Sequence, residues 1–262
     1  MDDGKGEKMA EKGKVALVTG GSRGIGRAIS LAMAKTGIKV AVNHLRKGSA
    51  EEILKQIEKE GGIASSFQAD IRQEDEVKSL VERVLNEFGR IDFLINNAGI
   101  SDQMLPVVEQ EASIWQKVMD THLKGTYLCS KEVAKAMVKN KFGRIVNISS
   151  IVGINGFPLR TAYGPAKSAM IMMTKVLAIE WAPFNINVNA IAPGYIRTEM
   201  VEDLIQRGKI DEGKLRHRIP LNRLGTPDEI AGVVQFLCSG AANYITGETI
   251  VVDGGWVAYG YV

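Results

Sequence analysis

Two constellations in this 262-residue sequence combine residue types that could do chemistry. In the first, Ser150 is followed thirteen residues later by Tyr163-Gly-Pro-Ala-Lys167. One helical turn separates the phenol from the ammonium, so on a helix both side chains lie on the same face. A phenol with an ordinary pKa near ~10 is a poor acid–base catalyst at neutral pH. An ammonium beside it favours the phenolate and lowers that pKa. Ser150, at the end of an apolar run, has a hydroxyl able to hydrogen-bond a substrate carbonyl. Tyr-x-x-x-Lys by itself is often a chance surface pair.

The second constellation, Thr19-Gly20-Gly21-Ser22-Arg23-Gly24-Ile25-Gly26, makes chance a poor explanation of the first. It follows the buried apolar run Val15–Val18 and opens a helical pattern. A dinucleotide pyrophosphate sits on a helix N-terminus at such a place. Gly20 allows the tight turn, Gly24 lets backbone N–H groups approach phosphate, and Gly26 lets the helix pack close to the strand. The spacing is G-x-x-x-G-x-G, not the commoner G-x-G-x-x-G. No Lys-Ser or Lys-Thr follows, so it is not a P-loop.

The elements that must position these groups alternate. Strands are expected at 15–18, 40–43, 63–69, 93–96, 144–149, 186–191 and 249–252. Helices are expected at 25–35, from a Ser49/Glu52 capping box to Gly61, at 77–88, 114–138, 163–181 and 228–237. About seven strands with helices between them imply an α/β fold, a parallel sheet covered on both faces. Met1–Gly13 reads as a mobile tail and residues 14–262 as a single catalytic domain. The charged connection Pro193–Pro220 reads equally as a substrate lid, about 195–218, or as a solvated helix pair.

Composition excludes several classes. Hydrophobic residues at 45% and charged residues at 24% describe a soluble globular chain, neither disordered nor collagen-like. The most apolar stretch, Met170–Trp181, is broken by Lys175 and Glu180, so no bilayer span is expected. A net charge of +3 without a basic stripe argues against nucleic acid. Cys129 and Cys238 read as buried reduced thiols of a cytoplasmic protein. No spacing of Cys or His suggests a metal site. Glycine is abundant, at 28 residues, and clusters where backbone must approach something closely.

Over roughly Gly13 to Trp256 the chain resembles the short-chain dehydrogenase/reductase family. The resemblance rests on the turn at 19–26, Asp70, Asn96-Asn97-Ala98-Gly99, Ser150 with Tyr163 and Lys167, Pro193-Gly194 with Thr198, and Asp253-Gly254-Gly255. It implies a Rossmann-type, doubly wound nicotinamide enzyme, usually a homotetramer. Hydride passes between the cofactor and a carbonyl carbon of a small-molecule substrate, and Tyr163 exchanges the proton on oxygen. The resemblance further implies that Lys167 holds the nicotinamide ribose and lowers the Tyr163 pKa, while Ser150 orients the substrate oxygen. Ser22, Arg23 and Ile25 join the glycines at the pyrophosphate. Asp70 and Ile71 contact adenine, and Asn97, Ala98 and Gly99 lie beside the cofactor. Pro193, Gly194, Ile196 and Thr198 are expected near its carboxamide end.

One position departs from the family pattern: His122 stands where Asn is usual. It either preserves a backbone role, the reading favoured here, or adds a titratable group to the proton relay. Cofactor choice is read after the second strand, at Asn43-His44-Leu45-Arg46. No carboxylate is there for a ribose 2′-OH, and Arg46 and Arg23 are within reach of a 2′-phosphate, so NADP(H) is favoured and NAD(H) possible.

For substrate, the chain resembles both 3-oxoacyl-carrier-protein reductases and the sugar or sugar-acid dehydrogenases of the family. Glu180-Trp181-Ala-Pro-Phe184-Asn with the run after it resembles gluconate 5-dehydrogenases. A small polar hydroxy compound, such as a sugar or sugar acid, is the reading preferred over a 3-oxoacyl-carrier-protein reductase. Carrier-dependent reductases tend to have Arg near Phe184, although Lys139, Lys141 and Arg144 offer an acyl carrier protein a basic edge. A non-catalytic NADP-sensing regulator would generally lack Tyr163 or Lys167. A methyltransferase has no use for Ser150, Tyr163 and Lys167 together.

Overall fold

The computed structural model describes residues 13–260. Its centre is one seven-stranded, all-parallel sheet in the order β3-β2-β1-β4-β5-β6-β7. The strands are β1 (Val15–Val18), β2 (Lys39–His44), β3 (Ala64–Gln68), β4 (Phe93–Asn96), β5 (Gly143–Ile148), β6 (Ile186–Pro193) and β7 (Thr249–Val252). Every residue of β1, β4, β5 and β6 is buried. That is why β1 and most of β4 read as continuous apolar runs, while β5 and β6 bury Arg144, Asn147, Asn187 and Asn189 among their apolar residues. β3, at an edge, buries only Phe67.

Helices cover both faces: α1 (Gly24–Lys35), α2 (Glu51–Lys59), α3 (Glu74–Phe88), α4 (Ala112–Met119), α5 (Gly125–Asn140), α6 (Tyr163–Trp181), α7 (Glu199–Gln206), α8 (Glu212–Arg218) and α9 (Pro227–Cys238). One core layer packs Ile29 and Met33 of α1 and Ile230 and Val234 of α9 against Val40, Phe93 and Ile95. The other packs Val77, Leu80 and Val84 of α3 and Val133 and Met137 of α5 against Leu17, Leu94 and Ile145. This is the Rossmann-type architecture expected from the alternation. Among the described residues no helix is long and apolar enough to cross a membrane. Both cysteines are buried, and burial pushes the Cys129 thiol up to about 12.

Two expectations need correction. The helical pattern at 114–138 is not one helix: a wide π-helical turn over Asp120–Lys124 separates α4 from α5. No Pro or Gly stands in Asp120–Lys124 to mark a break, so the helical pattern reads through it. The Ser49/Glu52 capping box does not form. Ala50 occupies the cap position of α2, the Ser49 hydroxyl donates to the Arg46 carbonyl at 2.8 Å, and Glu52 pairs with Arg27 of α1 at 3.3 Å. A complete capping box stands instead at Thr226 and Glu229, opening α9.

The connection after β6 forms the short helices α7 and α8, capped by Thr198 and Asp211. Arg197 ties them together through Glu202 and Glu212. The tail expected at 1–13 lies, except for Gly13, outside the described residues.

Candidate active site

Strand order reverses between β1 and β4, and a cleft of about 930 Å³ opens at the C-terminal ends of the central strands. A crevice at such a switch point is the usual ligand site of an open α/β sheet. Apart from Gly26, every residue singled out from the sequence as a site residue lines this one cleft.

The glycine-rich turn joins β1 to α1. Gly24 has φ +52°, and a Cβ there would project across the cleft to within 3.5 Å of the Thr198 methyl. Gly26 lies beneath the turn, where a Cβ would stand 2.3 Å from the Gly20 carbonyl oxygen and 2.5 Å from Asn97 Nδ2. The turn is braced from β4. Asn97 Nδ2 donates to the carbonyls of Thr19 (3.0 Å) and Gly20 (3.1 Å), and Thr19 Oγ1 accepts the backbone N–H groups of Asn97 (3.0 Å) and Ala98 (3.1 Å). Asn43, which the sequence did not single out, accepts the Gly20 N–H at 3.3 Å. A space kept clear of side chains above a helix N-terminus fits a dinucleotide pyrophosphate.

At the end of β2, His44 is buried with Nδ1 2.9 Å from the Arg46 carbonyl oxygen. Arg23 and Arg46 are exposed, line the cleft and make no ion pair among the described residues. Asp70 lines the cleft too, but its carboxylate is already engaged by Arg72, through Nε at 2.9 and 3.0 Å and Nη2 at 2.5 Å. These bonds hold its pKa below the usual carboxylate value.

The residues with acid–base chemistry gather between β5 and α6. Tyr163 is the first residue of α6 and Lys167 follows one turn later. Ser149 Oγ donates to the Lys167 carbonyl at 3.0 Å, fastening that turn to the end of β5. Ser150 Oγ accepts the Val152 N–H at 3.2 Å and its side chain is hydrogen-bonded to the Tyr163 phenol. Lys167 Nζ donates to the Ile148 carbonyl at 2.6 Å and lies 5.5 Å from the Tyr163 ring centroid.

The electrostatics of the pair differ from the sequence-based expectation. Burial raises the Tyr163 pKa, opposed by Ser150 and by the charge of Arg160. Lys167 is itself pushed down to about 7 by burial. Its Nζ is bonded to the Ile148 carbonyl, and its charge does not depress the phenol.

His122 sits in the π turn, 2% exposed, with its ring edge-on to Tyr163 at 5.1 Å between centroids. Nε2 lies 2.8 Å from the Ile100 carbonyl and 3.2 Å from the Ile100 N–H. One nitrogen cannot both donate and accept, and the shorter contact favours the tautomer that donates to the carbonyl. Nδ1 is then a buried acceptor without a partner among the described residues. Burial, and then the charge of Lys167, push the imidazole down to about 3, so it is neutral across the physiological range.

Arg144, offered above as part of a basic edge, is 3% exposed and donates to the carbonyl oxygens of Gly143 and Asn185 and to Asn243 Oδ1. It is a structural cation. Lys139 and Lys141 are exposed, as the edge requires.

A family model described as enoyl-(acyl carrier protein) reductase matches residues 20–257. A short-chain type dehydrogenase/reductase from Mycobacterium marinum superposes with a TM-score of 0.89 at 36% identity, over 95% of this chain and 97% of that one. This chain belongs to the short-chain dehydrogenase/reductase family. It is accordingly an oxidoreductase that interconverts a secondary alcohol and a ketone with a nicotinamide cofactor.

Among curated relatives, a 3-oxoacyl-[acyl-carrier-protein] reductase of Synechocystis sp. is 44% identical over 94% of this chain and 98% of its own length. One from Thermotoga maritima is 41% identical over 95% of this chain and 100% of its own. A candidate gluconate dehydrogenase from Agrobacterium tumefaciens superposes with a TM-score of 0.91 at 35% identity, covering 95% and 98% of the two chains. Within the short-chain dehydrogenase/reductase family, the curated relatives favour the alternative to the sugar-acid reading.

Proposed function

We propose that this protein reduces the ketone of a 3-oxoacyl thioester with NADPH. What carries the reading is end-to-end similarity, at 41% to 44% identity, to reductases named for that reaction. The cleft supplies chemistry that suits it. The substrate ketone oxygen would sit between the Ser150 and Tyr163 hydroxyls. Ser150, held in place by the Val152 N–H, would donate its proton to that oxygen. Burial keeps Tyr163 protonated at neutral pH, so the phenol is poised as a proton donor in the direction of reduction. Lys167, which lines the same cleft one helical turn from Tyr163, would offer its ammonium to the nicotinamide ribose. When bound, the nicotinamide supplies the hydride.

NADP(H) is favoured because two unpaired guanidinium groups, Arg23 and Arg46, face the cleft where β2 offers no carboxylate. Docking of an acidic carrier would use Lys139 and Lys141 without Arg144. Phe184, 36% exposed, gives that docking nothing electrostatic. The helix pair α7–α8 would act as the substrate lid: none of its residues is buried, and Glu199, Met200 and Leu204 wall the cleft.

A homotetramer completes the proposal. On α6, Met172, Val176 and Ile179 form an outward apolar row exposed by 59%, 52% and 78%.

A panel following nicotinamide absorbance tests the substrate class. NADPH is paired with acetoacetyl thioesters and diketones, and NADP or NAD with gluconate and polyols. Turnover of the thioesters is expected. Turnover of gluconate alone would return the assignment to a sugar-acid dehydrogenase.

A further inference from the structure

Beside the acid–base residues lies an ion pair that the steps above leave unused. Asp102, from the connection after β4, has a side chain 4% exposed, and Arg160, from the connection before α6, one 16% exposed. Arg160 Nη1 lies 2.5 Å from Asp102 Oδ1 and donates more weakly to Ser101 Oγ at 3.4 Å. The second carboxylate oxygen accepts the backbone N–H of Tyr163 at 3.3 Å, so the pair is fastened to the start of α6. Trp115 Nε1, donating to the Thr161 carbonyl at 3.1 Å, holds the same connection from α4.

Only Nη1 of the guanidinium is engaged. Nε and Nη2 have no partner among the described residues, and Arg160 lines the cleft with Cζ 5.8 Å from the Tyr163 ring centroid. Its charge reaches the phenols of both Tyr163 and Tyr195. The Nε and Nη2 donors are left to solvent at the wall of the cleft, open to a ligand oxygen. Here a buried carboxylate fixes the fork and leaves a planar N–H edge facing the place where substrate must lie. Asp102 also offsets the charge, so the edge can take a neutral carbonyl as well as a carboxylate.

We infer that Arg160, positioned by Asp102, binds the second oxygen of the substrate, one methylene away from the reacting ketone. It thereby selects β-dicarbonyl compounds over plain ketones. The inference rests on the thioester reading and supplies it with a recognition element. The second oxygen could belong to a thioester or to a free carboxylate, and the chemistry at Arg160 is the same.

The test is steady-state kinetics with NADPH on acetoacetyl-CoA, acetoacetate and butanone, with NADPH affinity followed by fluorescence as a check on the fold. Two variants are needed. Arg160→Gln removes the fork, and Arg160→Leu/Asp102→Asn removes both charges and leaves no orphaned carboxylate. In both, the ratio of kcat/KM for dicarbonyl to kcat/KM for butanone should fall about 10- to 100-fold, the loss of a hydrogen bond to a charged group. Arg160→Lys should recover part of that ratio. An equal loss on all three ketones with NADPH binding retained would mean the pair only anchors α6, and would overturn the inference. A wild type that reduces acetoacetate but no thioester would overturn the thioester reading and leave Arg160 in its role. A wild type with no preference for either dicarbonyl over butanone would overturn the role of Arg160 itself.

Discussion

Tyr163 and His122 meet edge-on in the cleft, and burial acts on each in the direction that keeps it uncharged. For His122 this has a consequence for stability. Its folded pKa, about 3, lies below the unfolded value of 6.5. As pH falls below 6.5 the unfolded chain takes up a proton that the folded one refuses. The stability that His122 contributes at neutral pH is therefore lost progressively between pH 6.5 and pH 3. By pH 5 that amounts to about 2 kcal/mol relative to His122→Asn. Urea unfolding of the two proteins at pH 7 and pH 5 measures it, and parallel pH dependences would refute a buried neutral imidazole. The pH–rate profiles of the two should superpose near neutrality, since His122 does not titrate there. The identity of this position was readable in the sequence, but its electrostatics were not. They depend on Ile100 and Lys167 closing around the ring, contacts made across the fold. Arg160 escaped notice for a similar reason: a lone charge in a connection reads as solvated until Asp102 is found beside it.

The connection between β1 and α1 was the most legible element. A glycine-rich turn after a buried strand has one main use on such a sheet, and the close approach is visible at Gly26. Gly26→Ala would place a methyl 2.3 Å from the Gly20 carbonyl oxygen. The variant should lose about 1–3 kcal/mol of stability by overpacking. It should also lose part of the thermal stabilisation that NADPH gives the wild type, because Asn97 and Gly20 must shift together. Thermal melts with and without NADPH would show both losses, and a wild-type response to NADPH would contradict the role assigned to this contact. Elements set by tertiary contact were harder to read. The π turn is built from Asp120–Lys124, which holds no Pro or Gly to signal it. Ala50 displaced Ser49 from the α2 cap because Ser49 bonds back to Arg46. Arg144 looked like surface charge until two carbonyls and Asn243 enclosed it.

For the whole molecule, alternating apolar runs and helical periods were enough to anticipate a parallel, doubly wound sheet. They could not show that α6 is apolar on its outward face as well, because a helix apolar all round has no clear period. Ile179→Glu places a charge at the most exposed position of that row, 78% exposed, and should shift a sizing column from the proposed tetramer to smaller species. An unchanged tetramer would exclude this face as the interface. The most direct test of the proposed chemistry compares wild type with Tyr163→Phe in the NADPH-dependent reduction of an acetoacetyl thioester, with NADPH binding measured in parallel. Wild type should turn over. The variant should bind NADPH and lose roughly 100- to 10,000-fold in kcat, the usual contribution of a positioned acid. Comparable turnover by the two proteins, or none by wild type, would contradict the assignment.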